Sequence, residues 1–445
     1  MANQQIDSLK IVLANSTDDS IKMNLLFKLV KIQKRTDPSK ATEFVDHALS
    51  IAEKNNDNKN IATAHRKKAQ LLNAIGKTDE AIISYKLSIK IYKSINLKKG
   101  MAYSYNNLGM LYQRQENYEE ALANYQECFR LGEETNDSLV ICTGYNNFGN
   151  IYYNQYDYTN ALANYKNAYE IADKMDFGVR KADYAANIGN AFFMEGNYQN
   201  ALKYYENSLS LNENINNVRG TARVLNSMGQ VFESMGNYVM ALEYFQKSMK
   251  LRKELNDMMG ISETLVSIAE MYKNNGQFDK SITFSSRCLE IAEQMGFSEQ
   301  MKCSYENMYV AFEQKKDHEK ALEYYTMFRD VENEIYLQRQ TEAVANLQTK
   351  YETEKKEKEI VLLTKENQSQ TLLLLKQKNF RNILILTMLL IFIVAAGLYF
   401  RYQSKKKMNE TLREKNREIE NRKNEVELLN TNLRELNSAK DKFFA

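Results

Sequence analysis

The same arrangement of small and aromatic side chains returns every forty residues along most of this 445-residue chain. One column of the repeat contains Ala41, Ala81, Ala121, Ala161, Ala201, Ala241, Ser281 and Ala321. Twelve residues earlier come Leu29, Ala69, Gly109, Gly149, Gly189, Gly229, Ala269 and Tyr309, and four residues later come Val45, Tyr85, Tyr125, Tyr165, Tyr205, Phe245, Ser285 and Tyr325. This period predicts a solenoid of stacked helical hairpins, because a unit so short buries its apolar face only against its neighbours.

Composition favours an all-α fold. The chain contains one proline and no tryptophan, so few residues would stop a helix. We expect the single proline, Pro38, to lie in a turn. The segments between the predicted helices, such as EGNYQNA and MGNYVMA, contain the glycine and asparagine that permit a tight connection.

The segment NNLGMLYQRQENYEEALANYQECF, from Asn106 to Phe129, resembles the tetratricopeptide repeat family in its Leu-Gly, Tyr, Ala and Tyr positions. The tryptophan and the closing proline that are usual in that family are missing. We expect an N-terminal cap over residues 1–20 and eight repeats over residues 21–332. Because the period exceeds the usual length of about 34 residues, we also expect lengthened helices.

The resemblance implies a concave groove, lined by the first helix of each hairpin, with which the family holds extended peptides or protein segments. Amide side chains recur in two columns on these helices. They are Asn107, Asn147 and Asn187 in one column, and Asn150, Asn190 and Gln230 three residues further on. An amide both donates and accepts hydrogen bonds, so this ladder predicts binding to a peptide backbone. The alternative interpretation is that the amides solvate an exposed face or cap internal turns.

Other chemistries find little support in the sequence. The chain has 60 basic and 57 acidic residues, and a net charge of +3 favours no nucleic-acid partner. His47, His65 and His318 lie in different repeats and lack zinc-site spacing, so we expect no metal, cofactor or catalytic constellation. The four cysteines are expected to be buried packing residues rather than disulfide partners.

Residues 383–400, ILILTMLLIFIVAAGLYF, carry no charge and predict a single transmembrane helix. The preceding residues 333–382 contain no glycine or proline and alternate in charge, which predicts a solvated connector helix. Six basic residues occur in the fifteen that follow the apolar run, and three occur in the fifteen before it. This bias places the C-terminal side in the cytoplasm.

The same bias places the repeats in the periplasm, on the outer side of the inner membrane. The N-terminal residues do not show the basic and apolar regions of a signal peptide, which conflicts with export. Two explanations stay open. We favour a processed or truncated chain that has lost its leader, and the other explanation is that the repeats are cytoplasmic and the charge bias misleads.

Residues 401–445 carry a heptad pattern of apolar side chains, which predicts a cytoplasmic coiled coil and a parallel homodimer. The seam consists of Leu412, Ile419, Val426, Leu429, Leu433 and Leu436.

The final segment, LRELNSAKDKFFA, resembles the stretch that leads into the phosphoacceptor helix of bacterial sensor histidine kinases. Together with the order of repeats, membrane helix and heptads, it resembles repeat-bearing sensor kinases of the Bacteroidetes type. The resemblance implies the sensory and transmembrane part of such a kinase, truncated before the phosphoacceptor histidine, so this chain is not expected to be an enzyme. The alternatives are a membrane-anchored scaffold and a transcriptional regulator whose DNA-binding domain is missing.

Overall fold

The computed structural model describes the backbone of residues 2–34 and 37–443, and the side chains of most of them. The described residues form seventeen α-helices. The first nine are α1 (Ala2–Asn15), α2 (Asp19–Gln33), α3 (Pro38–Lys54), α4 (Asn58–Ala74), α5 (Thr78–Ser94), α6 (Lys98–Arg114), α7 (Tyr118–Thr135), α8 (Ser138–Asn154) and α9 (Tyr158–Lys174). The others are α10 (Gly178–Met194), α11 (Tyr198–Asn214), α12 (Val218–Ser234), α13 (Tyr238–Glu254), α14 (Met258–Asn274), α15 (Phe278–Met295), α16 (Ser298–Gln314) and α17 (His318–Phe443). The predicted all-α solenoid is confirmed.

The helices pair as eight hairpins, from α2 with α3 to α16 with the start of α17. We call the even-numbered members, α2 to α16, the first helices and their partners the second helices. From α3 onward, each connection turns through one residue with positive φ, and these residues recur every twenty positions. They are Asn56, Gly76, Asn96, Glu116, Asn136, Tyr156, Asp176, Gly196, Asn216, Gly236, Asn256, Gly276, Gly296 and Lys316. Gly, Asn and Asp tolerate this conformation best, which explains their frequency in the turns.

The expectation for Pro38 is wrong. Pro38 is the first residue of α3, and the Asp37 carboxylate accepts a hydrogen bond from the Lys40 backbone N–H at 2.9 Å to cap the helix. The first helical position suits proline because a backbone N–H at that position, which proline lacks, would have no partner within the helix.

Close packing of glycine against an aromatic ring joins the two helices of four hairpins. A Cβ atom on Gly149 would lie 2.5 Å from the ring of Tyr165, and one on Gly229 would lie 2.6 Å from the ring of Phe245. The same contact joins Gly109 to Tyr125 and Gly189 to Tyr205. These four rings are at most 3% exposed, so the absence of a glycine side chain is what lets each ring enter the core.

A second buried column lies on the second helices and contains serine or cysteine. The hydroxyls of Ser88, Ser208 and Ser248 donate to backbone carbonyls of the first helix of the same hairpin at 2.7–2.8 Å. Cys288 makes the equivalent bond to the Ser262 carbonyl at 3.5 Å, and Cys128 occupies the same column. Burial raises the pKa of the Cys128 thiol to about 12, which keeps it neutral. These two cysteines therefore act as small packing residues.

Two compact units divide the chain at residues 349 and 350. The predicted connector of residues 333–382 does not begin a new helix, because α17 starts at His318 as the second helix of the last hairpin. In the second unit, one segment of α17 is long and apolar enough to cross a membrane, and none of its apolar window is buried in protein. The six predicted seam residues lie in the same unit and are 55–70% exposed in the single chain.

Replacing Gly149 with alanine tests the contact between glycine and aromatic ring. We expect the free energy of unfolding to fall by about 1–2 kcal/mol, because overpacking costs roughly 1–3 kcal/mol and the better helix propensity of alanine offsets part of it. Urea unfolding of the full chain in detergent, followed by circular dichroism, measures the change. Gly178→Ala is the matched control, since its Cβ would meet only Ile215 at 3.5 Å. Equal stability of the two variants would contradict this account.

Candidate functional site: the groove of the solenoid

The first helices line the inner surface of the solenoid. Along the stack, α4 contacts α6, α6 contacts α8, α10 contacts α12, α12 contacts α14 and α14 contacts α16. Such contacts between alternate helices arise on the inner side of a curved stack, where neighbouring hairpins approach most closely. The amide columns predicted from the sequence lie on these helices, so the inner surface is the candidate functional site. We call it the groove.

Two of the predicted amides tie adjacent hairpins together. The Asn147 amide Nδ2 donates to Asn106 Oδ1 at 2.7 Å, and the Asn187 amide Nδ2 donates to Asn146 Oδ1 at 2.8 Å. Each bond joins a first helix to the first helix of the preceding hairpin. These side chains therefore have a structural role. Asn147 is only 5% exposed, whereas Asn187 is half-buried and keeps an accessible acceptor beside its bond.

Two further amides are oriented by the tyrosines of the glycine contacts. The Tyr165 hydroxyl donates to Asn150 Oδ1 at 2.8 Å, and the Tyr205 hydroxyl donates to Asn190 Oδ1 at 2.6 Å. Because the carbonyl oxygen of each amide is engaged, its Nδ2 group is the atom left to donate. The amides of Asn150 and Asn190 are thus held as hydrogen-bond donors.

The last two predicted residues, Asn107 and Gln230, lie at opposite ends of the amide columns. Asn107 lines a cavity of about 450 Å³ between α2, α4 and α6, and Gln230 lines one of about 340 Å³ between α12, α14 and α16. The ring that packs beneath the Gln230 repeat is Phe245, which has no hydroxyl to orient an amide. The binding role of all six amides stays a prediction.

The cavity at Asn107 is basic, which the sequence reasoning missed. Lys34, Lys67 and Arg114 line it, together with Tyr85. The forty-residue alignment could have revealed this basic cluster. Lys67 stands in the column of Asn107, and Lys34 and Arg114 share another column. The charge of the groove thus differs from one end to the other.

The cavity at Gln230 is lined by three carboxylates, from Glu263, Glu270 and Glu299. Its two arginines are already paired, Arg252 with Glu263 at 2.8 Å and Arg223 with Asp183. Glu299 is paired as well, with Arg339 at 3.0 Å, so Glu270 is the carboxylate of this lining that forms no ion pair with a described residue.

Glu233, at the end of α12, belongs to the same region. The Asn274 amide donates to its Oε1 at 2.9 Å. Burial, followed by repulsion from Glu270, raises the pKa of the Glu233 carboxyl to about 7. The carboxyl therefore changes charge close to neutral pH.

A larger cavity of about 910 Å³ lies where α17 leaves the last hairpin. It is lined by the ends of α6 and α16 and by residues 335–340 of α17. The Arg339 guanidinium pairs with Glu299 at 3.0 Å and approaches Glu116, in the turn after α6, at 3.9 Å. Both pairs are exposed and so contribute little stability. They nevertheless connect the start of α17 to two hairpins that are far apart in sequence.

Comparison with known proteins identifies the repeat. The family description "Tetratricopeptide repeat" matches residues 100–174 and 180–254, and a second description of the same repeat matches residues 262–295. The chain contains tetratricopeptide repeats. A search of curated proteins found no match.

Several solved structures are similar to this chain in fold. A Rap protein complexed with Competence and Sporulation Factor is 15% identical with a TM-score of 0.55, and the match covers 76% of this chain and 94% of that one. The quorum sensor NprR from B. thuringiensis is 15% identical with a TM-score of 0.54, covering 73% and 91%. A signal transduction ATPase with a tetratricopeptide repeat sensor, from Pyrococcus horikoshii, is 15% identical with a TM-score of 0.51, covering 70% and 46%. At these identities the likeness concerns the fold alone.

Metal chemistry finds no support in the described part of the tetratricopeptide solenoid or of α17. No group of three or more His, Cys, Asp or Glu side chains there is placed to hold a metal ion. What the groove offers is an array of amides with charged ends, which suits non-covalent binding.

The variant Glu233→Gln tests the titration at the acidic end. The carboxyl binds its proton more tightly in the folded chain, where its pKa is about 7, than in the unfolded chain, where it is 4.5. Its contribution to stability is therefore complete below pH 4.5 and is lost as the pH rises through 7. Glutamine is neutral throughout and keeps an acceptor for Asn274. We expect the variant to unfold at a higher temperature than the wild type at pH 8 and at a similar one at pH 5.

Thermal unfolding of the full chain at both pH values measures this difference. Glu206→Gln, on the second helix α11, removes an exposed carboxyl as a control. The same difference between variant and wild type at both pH values would show that Glu233 does not titrate in this range.

Proposed function

We propose that this chain is the sensory and membrane-anchored part of a signalling receptor, and that its groove binds a protein or peptide in extended form. The observation that carries the proposal is the pair of Asn150 and Asn190 amides, whose carbonyl oxygens are engaged by tyrosine hydroxyls. Side chains oriented before binding lose little entropy when a ligand arrives. A solvated surface would not require such orientation.

The amides can recognise a peptide backbone from both sides. The Nδ2 donors of Asn150 and Asn190 suit backbone carbonyls, and the Oδ1 acceptor of Asn187 suits a backbone N–H group. Recognition through the backbone tolerates many side chains, so charged groups elsewhere in the groove would supply selectivity. The similarity in fold to a Rap protein complexed with Competence and Sporulation Factor, and to a quorum sensor, is consistent with this use.

In this proposal α17 relays the signal. Its start is the second helix of the last hairpin, and Arg339 lies between Glu116 and Glu299. A ligand that changes the spacing of the hairpins would alter those ion pairs. The same helix contains the apolar segment, which we place across the inner membrane with the repeats in the periplasm.

The finer assignment is to a sensor histidine kinase of the two-component type. It rests on the C-terminal resemblance and on the exposed heptad seam, which we propose forms a cytoplasmic homodimer. This chain itself is proposed to have no catalytic activity and to supply the sensory part of such a kinase.

The double variant Asn150→Asp, Asn190→Asp tests the groove. Each aspartate keeps the oxygen that accepts from its tyrosine and loses the Nδ2 donor, so the fold is preserved. For peptides selected on the wild-type chain from a random library, we expect affinity to fall about tenfold or more, because two donors become acceptors. Fluorescence anisotropy with the full chain in nanodiscs measures the affinity.

The control for this variant is Asn167→Asp with Asn214→Asp, which makes the same chemical change on exposed positions of the second helices α9 and α11. The control should bind like the wild type. If the groove variant also binds like the wild type, the amides are structural only and the proposed binding mode fails.

Topology has a separate test. An alkaline phosphatase fused to the N-terminus is active only in the periplasm, and a fluorescent protein that folds only in the cytoplasm provides the opposite report. We expect phosphatase activity from the N-terminal fusion, because the basic residues after the apolar segment hold that side in the cytoplasm. Activity of the cytoplasmic reporter alone at the N-terminus would place the repeats in the cytoplasm.

A further inference from the structure

The cavity between α2, α4 and α6 differs from the rest of the groove in its charge. Its lining includes Lys34, Lys67 and Arg114, and none of its lining residues is acidic. The remaining wall is apolar or neutral, with Leu71, Met110 and Asn107 among its members. Its volume of about 450 Å³ is sufficient for several side chains of a bound segment. We call this region the basic section of the groove.

The cations of the basic section have no counter-ions in the described part of the chain. Lys34, Lys67 and Arg114 form no ion pair with a described carboxylate, although many other lysines and arginines of the solenoid do. Lys67 is partly buried, and its Nζ lies 5.2 Å from the centre of the Phe27 ring. Lys34 and Arg114 are exposed, so the cost of an unpaired charge falls on the partly buried Lys67, and it points to an anionic ligand beside that ammonium group.

The titration of Lys67 supports this interpretation. Burial, followed by repulsion from the neighbouring cations Arg66, Lys34 and Lys31, lowers its pKa to about 8. Every charged group that acts on this ammonium is therefore basic. An anion in the cavity would reverse the effect and raise the pKa.

We propose that the basic section binds an acidic segment of the peptide ligand, with its carboxylates against Lys67 and Arg114 and its backbone against Asn107. This inference rests on the proposed peptide-binding function and adds the chemistry of the ligand at one end. The acidic segment would lie over α4 and α6, and the chain would continue over α8 and α10, where the oriented amides follow in the same columns.

The rest of the groove argues for a peptide rather than a nucleic acid. A polyanion that ran along the groove would reach Glu270 at the other end, beside Glu263 and Glu299, which are already paired with Arg252 and Arg339. Like charges at close range disfavour that arrangement. A peptide carries acidic residues only where its sequence places them, so it can satisfy both ends.

Binding of two synthetic peptides to the full chain in phosphatidylcholine nanodiscs tests the proposal. One peptide has clustered glutamates, and the other has glutamine at the same positions. Fluorescence anisotropy at moderate salt should show about tenfold tighter binding of the acidic peptide, as expected for charged hydrogen bonds. The double variant Lys67→Gln, Arg114→Gln should abolish the preference.

Matched variants separate the site from general charge. Lys90→Gln with Lys203→Gln removes the same charge from exposed positions of the second helices α5 and α11, and it should keep the preference. Arg114→Gln alone changes an exposed side chain and should reduce the preference for the acidic peptide. This single variant keeps the test valid if the double variant misfolds. Calorimetry at pH 8.5 in buffers of different ionisation enthalpy should show proton uptake on binding of the acidic peptide, and the uptake should disappear in the double variant.

The outcomes distinguish this inference from the function on which it rests. Equal binding of both peptides would overturn the inference and leave the peptide-binding groove intact. Binding of neither peptide would count against both. Equally tight binding of a single-stranded oligonucleotide, lost in the double variant, would show that the basic section recognises anions of another class and would overturn the assignment to a peptide.

Discussion

The close approach of a glycine on the first helix to an aromatic ring on the second is the contact on which the solenoid depends. At Gly149 and Tyr165 the space for a Cβ atom is occupied by the ring, so the two helices cross at a distance that no larger residue allows. The rings are buried almost completely, and burial of a large aromatic side chain is among the strongest stabilising contributions available to a small repeat. Repetition of this contact at forty-residue intervals keeps successive hairpins in the same geometry.

The tyrosines of this contact also connect the core to the groove. Tyr165 packs its ring against Gly149 while its hydroxyl reaches Asn150, the next residue of the first helix. The buried ring therefore determines which atom of the amide is presented. Bonds such as that from Asn147 to Asn106 then join one hairpin to the next. Stability and presentation of the groove thus depend on the same side chains, and a change in hairpin stacking would alter both.

Charge distinguishes the two ends of the groove, although the chain as a whole is nearly neutral. At one end Lys67, Lys34 and Arg114 have no carboxylate partner among the described residues, whereas Glu233 and Glu270 repel each other at the other end. Both arrangements disfavour the charged state of a partly buried group, and a ligand of opposite charge would relieve them. Arg339 adds a link between the acidic end and α17. The two ends of the groove therefore differ in charge, which would favour one orientation of a bound peptide. A uniform ladder of amides would not provide this preference.

Repeat length, the helical hairpins and the apolar segment follow from the sequence, because side-chain size and helical period are properties of neighbouring residues. The same reasoning misplaced Pro38, since a fixed φ suits both a turn and the first residue of a helix. It identified the amide columns but not the use of each amide, which depends on partners fifteen or forty-one residues away. The basic section likewise combines Lys67 with Lys34 and Arg114 from another column. The local sequence pattern was enough to predict the architecture. The stacking of the hairpins decided which polar and charged side chains meet, because residues of different repeats come close together only after the repeats have packed.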